Sequence, residues 1–231
     1  MVRKSAGERS DVFDAGIDEV IYRELRQRIL DRRYQPGRPL SVAEVAGDLQ
    51  AEPAPIYYAL AKLAGEALVS RVGVDTHELV PIDVIAAEAT FDARCAIELG
   101  AVEISRQRTT TTQIEELRRR LTGMLPLIRA DRFVDFERYL DANNAFHEQV
   151  VRLADNEALL IAYRRLAVRA VMAHTLRATN RTSNAMLDDH VRIADAIISG
   201  DMQETRSALL DHCEHAKARA RIALAAAGGT I

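Results

Sequence analysis

Tryptophan is absent from this 231-residue sequence, and only two cysteines occur, Cys95 and Cys213. Neither belongs to a CxxC pair. That usage fits a reducing compartment and excludes a disulfide framework, and each cysteine reads as a packing residue. No run of about 18 apolar residues appears, so a membrane-spanning helix is excluded. The early cations of "MVRKSAGERSDVFDAG" are followed by no apolar segment of a secretory leader. The expectation is a soluble, cytoplasmic protein with no membrane partner. No Gly-rich phosphate loop, GxSxG elbow or HExxH pair is present. An excess of positive charge is missing too: 31 Lys and Arg stand against 34 Asp and Glu, a net charge of -3. Such a balance is not the footprint of a strongly basic nucleic-acid binder, although a regulator can carry a small basic patch on an acidic molecule.

What the chain has in abundance is alanine, leucine and arginine, a composition that favours helices. Residues 1–17 lack periodicity and read as a loose tail. From Asp18, Ile21, Leu25 and Ile29 share one face of a helix that Pro36-Gly37 ends. After a short "RPL" linker, Ser41 and Glu44 form a capping box for a second helix reaching about Gln50. Ile56, Leu60 and Leu63 stripe a third, with Pro55 in its first turn. "ALVSRVGVDTHELVPI" then alternates β-formers around Gly73 and Asp75, a small hairpin. Three short helices and a hairpin outline a winged helix-turn-helix over residues 18–80. Residues 81–231 read as an all-helical domain, with segments at about 82–108, 111–130, 132–154, 156–180, 184–199 and 201–226.

Several stretches carry a family resemblance. "YRELRQRILDRRYQPGRPLS" and "ALAKLAGEALVSR" in the first domain, and "FDARCAIELGAVEIS", "NNAFHEQVVRLADNEAL" and "DDHVRIADAIISGDMQETRSALLDH" in the second, resemble the GntR family of bacterial regulators in its FadR-like branch. The resemblance spans about residues 18–226. It implies a mainly α fold, an N-terminal winged helix-turn-helix followed by a helical bundle that binds a ligand, and a homodimer.

In that family arginines near the second helix, at the turn and in the recognition helix read DNA; here the matching positions hold Ala43, Pro53 and Tyr57. Between Ser41 and Val80 the cations are Lys62 and Arg71, against six acids, so this stretch carries 2 − 6 = −4. DNA contact would then fall to Arg23, Arg32, Arg33 and Arg38, to Arg26 and Arg28 on the same helix, and to Tyr57, Tyr58, Lys62 and Arg71.

Asn143 and His147 are i and i+4, so on a helix their side chains converge. The resemblance places His190 and His212 in the same cavity. Three imidazoles and an oxygen suit a divalent ion, zinc before others, with positions left for water or effector. Asn143 stands where the family often has aspartate, which makes the set one negative charge poorer. By the same resemblance Arg94 faces the cavity, its fork suited to a carboxylate effector; from the bare sequence it pairs equally well with Glu98 at i+4. His174 is a second effector contact, while His77 and His215 are expected on the surface.

Two functions follow. One is a ligand-responsive transcription regulator whose helical domain binds metal and a small carboxylate. The other is a protein derived from such a regulator that no longer binds DNA and uses the pocket for lyase, isomerase or hydrolase chemistry, or for ligand binding alone.

Overall fold

The structure is a computed structural model that describes residues 11–179 and 182–230. The chain divides into two compact units, one extending to Pro81 and the other beginning at Ile82.

The first unit runs α1 (Asp11–Leu30), β1 (Pro39–Ser41), α2 (Val42–Leu49), α3 (Pro53–Gly65), β2 (Val69–Arg71) and β3 (Thr76–Leu79). Helix α1 starts seven residues before the expected Asp18; the rest of the expected tail, residues 1–10, lies outside the described residues. Its apolar stripe packs on α3, burying Leu25 and Ile29 with Ile56, Leu60 and Leu63. Pro53, which has no N–H to lose, opens α3. The Ser41 hydroxyl accepts from Glu44 N at 3.1 Å, but the Glu44 carboxylate goes to Arg38 instead of closing the capping box.

Pro39 and Leu40 of the expected "RPL" linker form a strand with Ser41. β1 adds to the wing hairpin to make an antiparallel sheet ordered β1-β3-β2, with Leu40 opposite His77 and Ser70 opposite Glu78. Three residues are too few to show alternation, so the pairing was not legible locally. The same sheet overturns the expected exposure of His77. It faces inward on β3, 6% exposed, and burial followed by the Arg71 charge lowers its pKa.

The second unit comprises α4 (Val84–Ser105), α5 (Thr111–Met124), β4 (Ile128–Arg129), β5 (Arg132–Phe133), α6 (Phe136–Arg152), α7 (Glu157–Arg165), α8 (Val168–Thr179), α9 (Ala185–Ser199) and α10 (Met202–Ala226). Polar caps set most of the starts: Asp83, Thr110 with Gln113, Asp135, Asn156 and Asp201. Helix α10 is the central column, against which α4, α8 and α9 pack; α5 and α7 pack on α6.

Two helical segments differ from expectation. Pro126 stops the helix expected to reach residue 130, and a two-residue hairpin follows, with Ala130 and Asp131 both at positive φ. The segment expected over 156–180 breaks at Leu166, which is extended, into α7 and α8.

Candidate functional site

Inward-facing positions of three helices meet in the second unit. Asn143 and His147 lie one turn apart on α6, His190 on α9 and His212 on α10, all buried. One ring nitrogen from each histidine lies within 4.8 Å of the others. His147 Nε2 is 3.2 Å from His190 Nε2, which is 2.9 Å from Asn143 Oδ1. The His212 ring stacks on His147 with centroids 5.0 Å apart.

The far side of each ring faces an oxygen. His147 Nδ1 lies 2.8 Å from Glu98 Oε1, His190 Nδ1 faces the Met186 carbonyl, and His212 Nδ1 lies 3.3 Å from Asp189 Oδ2. The Met186 carbonyl and the ionised Asp189 accept, so His190 and His212 hold the proton on Nδ1 and each of these Nε2 atoms is a bare lone pair, whereas the His147–Glu98 contact is not a hydrogen bond. Burial lowers the pKa of all three histidines well below 6.5, which keeps them neutral. Asn143 Nδ2 is directed at Met172 Sδ, 3.2 Å away, leaving its oxygen toward His190. The lone pairs of His190 Nε2 and Asn143 Oδ1 therefore meet at 2.9 Å with no hydrogen between them, and His147 Nε2 lies beside them. That arrangement repels itself until a cation is shared, so the donor set fits a divalent ion with nitrogen ligands.

Two carboxylates support the rings. Burial raises Glu98 to about 7, against the pull of Arg94. Burial also works to raise Asp189, but hydrogen bonds from His212 and His215 outweigh it and hold the group below the usual carboxylate range. His215 is exposed, as expected, and pairs with Asp189 at 3.0 Å.

Beside the imidazoles is a small cavity of ≈ 20 Å³. Arg94 lines it, 1% exposed, with Nε 3.7 Å from Glu98 Oε1 and in no hydrogen bond. The i+4 pairing and the cavity-facing placement thus hold together. The hydroxyl of Tyr139, fully buried on the same wall, also has no hydrogen-bond partner. His174 is buried on α8, and Met172, Thr175 and Leu176 are the α8 residues that line this cavity. Arg219 of α10 reaches it as well, a residue the sequence reading missed. Its one signal was spacing: it lies seven residues, two turns, after His212. Cys95 and Cys213 are buried free thiols on α4 and α10; Cys95 Sγ donates to the Leu209 carbonyl at 3.8 Å and Cys213 Sγ to the Phe91 carbonyl at 3.5 Å.

Residues 89–215 match the FCD domain family, and residues 17–74 match the bacterial regulatory proteins of the gntR family. The chain is a GntR-family regulator with an FCD domain. It is 28% identical over 201 residues to an HTH-type transcriptional regulator in an unstable DNA locus of Streptomyces ambofaciens, covering 83% of this chain and 80% of that one. It is 26% identical over 188 residues to the "Probable D-xylose utilization operon transcriptional repressor" of Paenarthrobacter nicotinovorans, covering 80% of each. Among solved structures it resembles E. coli McbR (TM-score 0.62, 17% identity, 86% of this chain and 94% of that one). It also resembles Listeria monocytogenes Lar (TM-score 0.65, 16% identity, 95% and 98%). At such identities the structures speak for the fold.

In this GntR-family winged unit the outer face of α3 is uncharged. Pro53, Ala54, Tyr57, Tyr58 and Ala61 are exposed there, and Ala43 is exposed on α2. Most nearby cations are already engaged: Arg23 with Glu19, Lys62 with Glu19 at 2.7 Å, and Arg38 with Glu44 at 2.8 Å. Arg26 is buried against Glu66 and Arg28 pairs with Glu24, which removes both from the expected basic face. Arg71 donates to the carbonyls of Gly73 and Val74 in the wing. Arg32, Arg33 and Arg71 are the exposed cations of the expected set that have no acidic partner among the described residues. Tyr57 Oη donates to Asp75 Oδ1 at 2.7 Å, tying α3 to the wing.

Proposed function

We propose that this regulator works in the cytoplasm as a homodimer whose winged units contact DNA and whose FCD unit holds a divalent ion, zinc, together with a small carboxylate effector. The observation that carries the metal is the meeting of neutral imidazole and amide lone pairs with no proton to share. His147, His190, His212 and Asn143 hold the ion. When bound, it supplies positive charge at which an anionic effector is retained. Glu98, the Met186 carbonyl and Asp189 orient the three rings, as outer partners of metal-binding histidines do.

The carboxylate is supported by two buried donors in no hydrogen bond, Arg94 Nε and the Tyr139 hydroxyl, both on the cavity wall. A buried donor without an acceptor is destabilised by about 1–3 kcal/mol. An anion relieves both at once. Because α9 and α10 each give a ligand, effector and ion together bias how these helices pack, the differential contact that a regulatory switch requires.

DNA contact rests on Arg32, Arg33 and Arg71 with Tyr57 and Tyr58. Fluorescence anisotropy of the zinc-loaded chain with duplex DNA, over a salt series and with a panel of carboxylates, tests this function. Binding that weakens with salt and shifts with a carboxylate supports it. Absence of binding at about 50 mM salt, where phosphate contacts are strong, contradicts DNA contact.

A further inference from the structure

A second cavity adjoins the metal-side one. It measures ≈ 480 Å³ and shares Thr175, Leu176, Met186 and Arg219 with the smaller cavity of ≈ 20 Å³. The size contrast is decisive for what can bind. The inner space takes a group of one or two water-sized atoms. The outer one is in the range that holds a whole small organic molecule. Most of its exposed wall is apolar, from Leu176 of α8, Ala185 and Met186 of α9 and Ala218 and Ile222 of α10, with Asp189, His215 and Arg219 among its polar residues.

Arg219 stands where the two spaces join. It is half-buried and makes no hydrogen bond or ion pair among the described residues; Asp189 and Tyr139 act on it only through their fields. Burial lowers its pKa, the sign of a guanidinium that lacks a compensating anion. Arg94 Nε and the Tyr139 hydroxyl, neither in a hydrogen bond, line the inner wall, so with Arg219 three donors face a space that takes the oxygens of a carboxylate. A second carboxylate of a polyanion would meet the ionised Asp189 in the outer cavity, and the hydroxyls of a sugar acid would lie against a wall that is mostly apolar, where they lose hydrogen bonds.

We infer that the effector is an amphipathic monocarboxylate, its head held by Arg219 and Arg94 and its aliphatic or aromatic body lying in the outer cavity against Leu176, Met186, Ala218 and Ile222. This rests on the carboxylate reading above and narrows it to one chemical class.

Calorimetric titration of the zinc-loaded full chain with acetate, butanoate, hexanoate and octanoate, with citrate and 1-octanol as controls, tests the class. Affinity is expected to rise about fourfold per added methylene. Octanoate should exceed both controls. Arg219→Met should weaken octanoate at least tenfold with the ligand-free melting temperature unchanged, and Arg219→Lys should recover part of the loss. Ile222→Asn, at a largely exposed position, should flatten the dependence on chain length and spare acetate. Equal affinity from acetate to octanoate, or tighter citrate, would overturn the amphipathic class while leaving a carboxylate effector standing. Octanol binding as well as octanoate would overturn the role of Arg219. If no carboxylate binds, the effector reading and this inference fall together.

Discussion

His190 Nε2 sits 2.9 Å from Asn143 Oδ1, two acceptors with no hydrogen between them, and 3.2 Å from His147 Nε2. Sharing a cation turns this repulsion into ligation. Zinc at 100 times its Kd should therefore stabilise the chain by about 2.7 kcal/mol. Asn143→Asp adds a negative charge to a neutral set and should bind zinc at least tenfold tighter, whereas His190→Ala should lose the stabilisation. Competition with a chromogenic chelator and melting curves with and without EDTA measure both.

Phe146 sets the rings in place. It is fully buried, with its ring edge-on to His147 and His190 at centroid distances of 5.4 and 5.2 Å. Phe146→Ala should cost about 3–5 kcal/mol in urea unfolding. It should also weaken zinc more than Phe146→Leu does, because the rings lose a wall.

Much of this site was legible because helical spacing is local. Asn143 and His147 at i and i+4 must share a face, and the resemblance supplied His190 and His212 from other helices. Arg219 escaped because its importance comes from what it lacks, an anionic partner, which only packing reveals. His174 lies one residue before Thr175, which lines the cavity, and one residue turns a helical side chain by about 100°. In the winged unit, helices α2 and α3 declared themselves by cap and stripe. Strand β1 and the burial of His77 depend on pairing with a distant segment, and no local pattern encodes it.

His77 makes the winged unit sensitive to acid. Its folded pKa lies below 6.5, so under that pH the unfolded chain binds the extra proton and stability falls with falling pH, until the folded pKa is reached. The slope from this one group is at most about 1.4 kcal/mol per pH unit. His77→Leu should remove that share of the decline. Urea unfolding followed by circular dichroism between pH 7 and 5 measures the difference between the two chains.

DNA affinity should depend weakly on salt for a GntR-family protein. Arg32, Arg33 and Arg71 give a slope of about −3 per chain in log K against log salt. Restoring arginine at two exposed positions, Ala43→Arg and Pro53→Arg, should steepen the slope to about −5 and raise affinity at low salt more than tenfold. Anisotropy titrations on one duplex at four salt concentrations compare the two proteins. An unchanged slope would place these positions away from the phosphates.

The most direct test of metal binding by the FCD unit is X-ray absorption at the zinc edge of the loaded chain. One zinc per chain with three nitrogen scatterers at about 2.0–2.1 Å and no sulfur is the predicted result. A sulfur shell at about 2.3 Å, pointing to Cys95 or Cys213, or a chain that holds no stoichiometric zinc, would contradict it.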